Sequence, residues 1–198
     1  MRLFVAVVPP EGVLEHLDEF LSVRREVGEG FRWTVPDQWH LTLAFMESVA
    51  ERHLDDLVER LGRAGQRRTP FELGFAGGGA FPNAARAKVL WLGVAGDDAA
   101  RTELDRLATG ARAAATRAGA EVAGGKFRPH LTLARLGRPR EVSKWVRLLD
   151  AYEGPRWTVE EFALIQSHLG EGPRKRPRHV VLETFPLSSA DRHPASPA

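Results

Sequence analysis

The pentapeptide His-Leu-Thr-Leu-Ala occurs twice, as His40–Ala44 and as His130–Ala134. Side chains alternate across an extended strand, so each copy sets one imidazole and one hydroxyl on a single face. Two such strands facing each other bring two histidines and two threonines to one cleft. An imidazole titrates near neutrality and serves as acid or base, and a threonine hydroxyl donates to a phosphate oxygen. His40 and His130 as proton carriers, with Thr42 and Thr132 as phosphate-binding hydroxyls, are the minimum set for acid–base chemistry on a phosphoester. A metal site is the competing use of paired histidines, but zinc and iron sites take three or four ligands, often with a carboxylate. Here the residue two beyond each histidine is threonine, so chemistry without a metal or another cofactor is expected.

Arginines flank the second motif. Arg128 lies two before His130 and shares its face if the strand is already regular there, although Pro129 intervenes. Arg135 lies five beyond His130, and strict alternation sends it to the opposite face; it is the second candidate phosphate ligand. Leu41, Leu43, Leu131 and Leu133 alternate away from the motif face and are expected in the core. Phe4, Trp33, Phe81 and Phe127 are candidates for stacking a terminal base, with a core position as the competing use. The runs Arg138–Arg140 and Arg174–Arg178 read as basic loops able to follow a nucleic-acid backbone. His16 and His53 fall on helices, His168 at a site edge and His193 in the tail.

The elements that must position these residues follow from periodicity. A strand over Leu3–Val8 stops at Pro9-Pro10, and Val13, Leu14, Leu17, Phe20 and Leu21 predict a helix from Glu11 to Val27, closed by Gly28 and Gly30. The first motif strand runs over Trp39–Met46, and Ser48 with Glu51 reads as a capping box for the helix bearing Leu54, Leu57, Val58 and Leu61. Strands over Phe71–Phe75 and Ala87–Val94 are joined by a loop containing Gly77-Gly78-Gly79, which lacks the spacing of a phosphate-binding glycine loop. The second half repeats the order: a helix over Asp97–Ala118, the His130 strand, a helix over Glu141–Ala151, and strands over Trp157–Gln166 and His179–Thr184. The expected fold is therefore α+β and duplicated: two lobes related by a pseudo-twofold axis, antiparallel sheets facing a central cleft, helices outside. Residues 1–187 are expected as one bilobal domain, with the aperiodic Ser188–Ala198 as a tail.

Composition narrows the rest. At 198 residues and 43% hydrophobic content the chain can bury a core as one domain. The net charge of +2 argues against an indiscriminate polyanion binder, although the 24 arginines to 4 lysines suit forked contacts to phosphate. There is no cysteine, which excludes disulfides and thiolate chemistry. The opening apolar run is too short for a signal peptide and no stretch reaches membrane-spanning length, so a cytoplasmic, monomeric protein without membrane contact is expected.

His40-Leu41-Thr42-Leu43 and His130-Leu131-Thr132-Leu133 resemble the paired HxTx motifs of the two-histidine (2H) phosphoesterases. Within that superfamily the chain is similar to the RNA 2′,3′-cyclic phosphodiesterases, also called 2′-5′ RNA ligases. The similarity runs from Arg2-Leu3-Phe4-Val5-Ala6, through Trp39–Phe45, Leu90–Val94, Phe127–Arg135 and Gln166–Leu169, to Phe185-Pro186-Leu187. Where relatives carry an aromatic residue after Ser-x-Leu-x-x-x-G, this chain has Arg174-Lys175-Arg176-Pro177-Arg178, which bears on base preference. The resemblance implies hydrolysis of an RNA 2′,3′-cyclic phosphate end, or of a cyclic nucleotide, to a 2′-phosphate. It implies His40 as proton donor to the leaving oxygen and His130 as acceptor from water, an assignment that the near-symmetry of the motifs leaves open. Reversible 2′-5′ ligation, cleavage of small cyclic nucleotides or 2′-5′ oligonucleotides, and a noncatalytic RNA-end-binding module are the alternatives. Two intact titratable pairs speak against the last.

Overall fold

The computed structural model describes residues 1–28 and 30–188. The chain runs β1 (Leu3–Val7), α1 (Glu11–Ser22), β2 (Phe31–Trp33), β3 (Leu41–Met46), α2 (Leu54–Gln66), β4 (Phe71–Phe81), β5 (Ala87–Ala95), α3 (Asp98–Arg117), β6 (Leu131–Arg140), α4 (Ser143–Asp150), β7 (Trp157–Val159), β8 (Glu161–His168) and β9 (Arg178–Pro186). Every strand pair is antiparallel, and the strands form two sheets, β3-β1-β8-β9 and β2-β6-β5-β4-β7. The α+β, two-sheet expectation holds. The tail expected from Ser188 onward lies, but for Ser188, outside the described residues.

The two halves of the chain are not the two sheets. The repeat runs strand, helix, motif strand, helix, strand: β1-α1-β3-α2-β4, then β5-α3-β6-α4-β8 with β7 intervening. The final strand of each repeat crosses over, so β4 joins the sheet that carries His130 and β8 joins the sheet that carries His40. This exchange makes each sheet depend on both halves, and one continuous core runs from Leu3 to Leu187. β1 is buried on both faces: Leu3, Val5 and Val7 enter the main core, while Phe4 and Ala6 join Ala163, Ile165 and Phe45 in a smaller cluster on the other face.

Local departures from the sequence expectation have identifiable causes. Helix α1 ends at Ser22, because apolar spacing stops at Leu21 and Val23 and Val27 are exposed. The Ser48–Glu51 capping box does not form. Val49 is instead tied to the N-terminus, its amide donating to the Met1 carbonyl at 2.7 Å and its carbonyl accepting from the Met1 ammonium at 2.7 Å. Gly77–Gly79 belong to strand β4 rather than to a loop; Gly77 takes a positive φ of 80°, and the lack of side chains at Gly78 and Gly79 serves packing. A Cβ on Gly78 would lie 2.6 Å from Leu149 Cβ of α4, and one on Gly79 would collide with the Trp91 indole. Only glycine lets α4 and Trp91 lie this close to β4.

Candidate active site

Both motif strands begin one residue after their histidine, at Leu41 and Leu131, and both carry a β-bulge at the same point of the pentapeptide. In the β1–β3 ladder Val5 pairs with Ala44 and Ala6 with Thr42, leaving Leu43 as the extra residue; in the β5–β6 ladder Leu90 pairs with Ala134 and Trp91 with Thr132, leaving Leu133. A bulge shifts the alternation by one residue. Burial follows the shift: Leu131, Leu133, Ala134 and Leu136 are buried, Thr132 is half-buried and Arg135 is exposed. Arg135 therefore returns to the face of His130 and Thr132, against the expectation from strict alternation.

Each histidine is held by the carbonyl two residues before it. His130 Nδ1–H donates to the Arg128 carbonyl at 2.6 Å, and a ring N–H of His40 donates to the Gln38 carbonyl. Pinning one nitrogen in this way leaves the other to face a substrate. His40 stacks on Phe4, with centroids 4.5 Å apart, and meets His179 of β9 edge-on at 5.4 Å. His130 stands perpendicular to Phe81 at 4.8 Å and lies 6.0 Å from Trp91. Phe4 is only 4% exposed, so it is a platform for His40 rather than a surface for a base. Trp33 packs with Phe31 and Trp145, and Phe127 is half-buried against the core.

The two motifs sense each other's charge. Burial pushes the His40 imidazole down to about 3, helped by the nearby His179 and opposed by the Gln38 carbonyl; charge on His130 and on Arg135 also reaches it. Burial lowers His130 less strongly, opposed by the Arg128 carbonyl and helped by Arg135. His179 is lowered by burial as well. Arg135 thus acts on both motif histidines and has no ion-pair partner among the described residues. The Thr42 and Thr132 hydroxyls are half-buried and likewise make no hydrogen bond within the described residues. The Arg135 charge depresses the proton affinity of both motif histidines.

A brace sets the spacing of the two motifs. The Thr34 amide donates to the Leu133 carbonyl at 2.9 Å, and its hydroxyl donates to the carbonyls of Thr132 and Leu133 while accepting from the Trp39 indole N–H at 2.8 Å. Strand β2, which pairs with β6 just before Thr34, carries this link and has no alternation long enough to be read from sequence. Arg128 enters through its carbonyl, and its side chain is exposed. His16 bonds the Tyr152 hydroxyl, and His168 lies 3.6 Å from Glu171; His193 lies outside the described residues. His179, beside His40, is a residue that the sequence does not single out. Its only signal there is its place just after the basic run Arg174–Arg178.

The chain matches the family model described as the 2′-5′ RNA ligase superfamily over residues 14–171. The chain belongs to that superfamily. A Thermus thermophilus relative named RNA 2′,3′-cyclic phosphodiesterase is 35% identical over 94% of this chain and 90% of its own length. Among solved structures, a protein of Thermus thermophilus aligns with a TM-score of 0.77 and 32% identity, covering 96% of this chain and all of that one. E. coli LigT complexed with 3′-AMP aligns with a TM-score of 0.73 and 28% identity, covering 95% and 98%. The 2′-5′ RNA ligase superfamily fold thus extends across both sheets, and with it both His-x-Thr strands.

The depressed histidines make stability depend on pH. The folded state favours the neutral imidazoles, so this contribution is complete above about 6.5, the ordinary value, and is lost as the pH falls toward about 3. Between pH ~7.5 and ~4.5 the wild-type Tm should fall, and in His40→Gln the fall should be clearly smaller. Thermal unfolding followed by circular dichroism checks this, and an equal fall in both proteins would contradict it.

Proposed function

We propose that the protein hydrolyses RNA 2′,3′-cyclic phosphate ends to 2′-phosphates through paired histidine acid–base catalysis, without a metal. What supports this reading is that each motif histidine is held by the carbonyl two residues before it and that the charge of one cation, Arg135, reaches both. In the reaction, a water oxygen attacks phosphorus while the P–O3′ bond breaks. His130 accepts the water proton and His40 delivers a proton to the departing 3′ oxygen. Each transfer supplies about 10²–10⁴-fold. Thr42, Thr132 and Arg135 donate to the nonbridging oxygens, where negative charge builds; Arg128 is a further candidate for that contact.

The donor role asks something particular of His40. Burial keeps its proton affinity low, and the anionic phosphodiester must raise it on binding. The acid required for turnover is therefore formed in the complex. A ribose 5′-hydroxyl attacking in place of water, with the same P–O3′ bond broken and the proton delivered to the 3′ oxygen, gives a 2′-5′ diester, so the same residues serve ligation and, in reverse, cleavage of that linkage. Residues 1–187 act in this reading as a single bilobal enzyme, monomeric and cytoplasmic, with RNA as its partner. No helix of the described residues is long and apolar enough to cross a membrane.

The test is a product-resolved assay. Purified protein with EDTA should convert a nucleoside 2′,3′-cyclic phosphate to the 2′-phosphate. Activity lost with EDTA and restored by a divalent metal would overturn the mechanism. A 3′-phosphate product would overturn the bond assignment.

A further inference from the structure

We propose that the tip of the β8–β9 hairpin, Arg174-Lys175-Arg176, is a subsite for the backbone phosphates of the nucleotides preceding the cyclic phosphate, which makes an RNA strand end a better substrate than a mononucleotide. The inference rests on the cyclic phosphodiesterase reading of the cleft and names the substrate class of that same site.

The root of the hairpin is fastened to the catalytic region. His179, near the start of β9, meets His40 at 5.4 Å, and Gln38, whose carbonyl holds His40, donates its side-chain amide to the Pro177 carbonyl at 3.4 Å. The loop is also closed on itself, with the Gly172 amide bonded to the Arg176 carbonyl at 2.8 Å. Its one acid, Glu171, is occupied by Arg178 at 2.7 Å and His168 at 3.6 Å. Arg174 and Lys175 sit consecutively in the left-handed region, at φ 54° and 58°, a conformation unfavourable for residues other than glycine. The turn holds two exposed cationic side chains at the tip, and Arg176 beside them is half-buried. None of the three has an ion-pair partner among the described residues.

Three uncompensated charges thus lie three to five residues from His179, a chain reach of at most about 18 Å. That distance spans the first backbone phosphates of a strand whose 3′ end occupies the cleft. A cyclic mononucleotide presents nothing there. The other arginine run, Arg138–Arg140, differs: Arg140 lies over the Phe31 ring at 5.6 Å, at the far end of β6 from His130.

The proposal is tested with two probes, 2′,3′-cyclic AMP and a tetranucleotide ending in a 2′,3′-cyclic phosphate, and with the variants R174A/K175A/R176A and R174K/R176K. The alanine variant should lower the ratio of tetranucleotide to mononucleotide kcat/KM on the order of tenfold, mainly through the tetranucleotide KM. Fluorescence anisotropy with a labelled tetranucleotide ending in a 2′-phosphate should show weaker binding, with a log–log salt slope shallower by roughly 2, about 0.7 for each of three lost contacts. The lysine variant should keep the wild-type ratio. An unchanged ratio and affinity in the alanine variant would overturn the subsite. Failure of the wild-type protein to turn over 2′,3′-cyclic AMP would instead strike at the reading of the cleft, while the anisotropy titration still decides the hairpin.

Discussion

Replacing either motif histidine should lower kcat on 2′,3′-cyclic AMP by about 10²–10⁴-fold, the contribution of one well-placed proton transfer. Because acid and base act in one transition state, His40→Ala/His130→Ala should be little worse than the poorer single variant. The structure gives the two histidines different surroundings around equal roles. His40 stacks on buried Phe4 and meets His179, whereas His130 stands against Phe81 and Trp91 at the rim of the other sheet. His40→Ala also removes a ring from a packed cluster, so His40→Gln is the companion variant that separates chemistry from packing. Multiplicative losses in the double variant, or near-normal turnover after either single replacement, would contradict a concerted pair.

Arg135→Leu should lower kcat/KM by roughly 10²–10³-fold, the effect of removing one strong donor from a developing oxyanion. Arg135→Lys should recover part of it, since a point charge replaces the fork without its two-pronged geometry. The leucine change also lifts the repulsion that Arg135 exerts on both imidazoles. The acidic limb of kcat/KM should therefore move toward higher pH in Arg135→Leu. A surface arginine would produce neither effect, and unchanged kinetics with an unmoved pH profile would remove Arg135 from the site.

Arg135 also marks a boundary of what the sequence makes legible. The duplicated pentapeptide reveals the two histidines, the two threonines and the two-sheet α+β fold, because period-2 alternation and helical spacing report which faces are buried. A bulge leaves no trace in that pattern. Leu133 and Ala134 are both apolar, and only the paired register shows that one of them is extra. Counting five residues from His130 consequently sends Arg135 to the wrong face. Which sheet β4 joins is illegible for a related reason: its apolar run is compatible with either, and long-range pairing sends it to the one carrying His130. Gly77–Gly79 read as a loop because glycine alone carries no preference for a strand, whereas the closeness of α4 demands it at Gly78 and the bulk of Trp91 demands it at Gly79. His179 belongs to no repeated motif, and pairing between β8 and β9 brings it beside His40.

The central claim is that the two His-x-Thr strands and Arg135 surround a single phosphate. A crystal structure of the protein with a nucleoside 2′-phosphate, the proposed product, tests this most directly. One phosphate should accept hydrogen bonds from the free ring nitrogens of both His40 and His130, from the hydroxyls of Thr42 and Thr132, and from the Arg135 guanidinium. A phosphate bound to one motif alone, or seated away from both, would contradict the account.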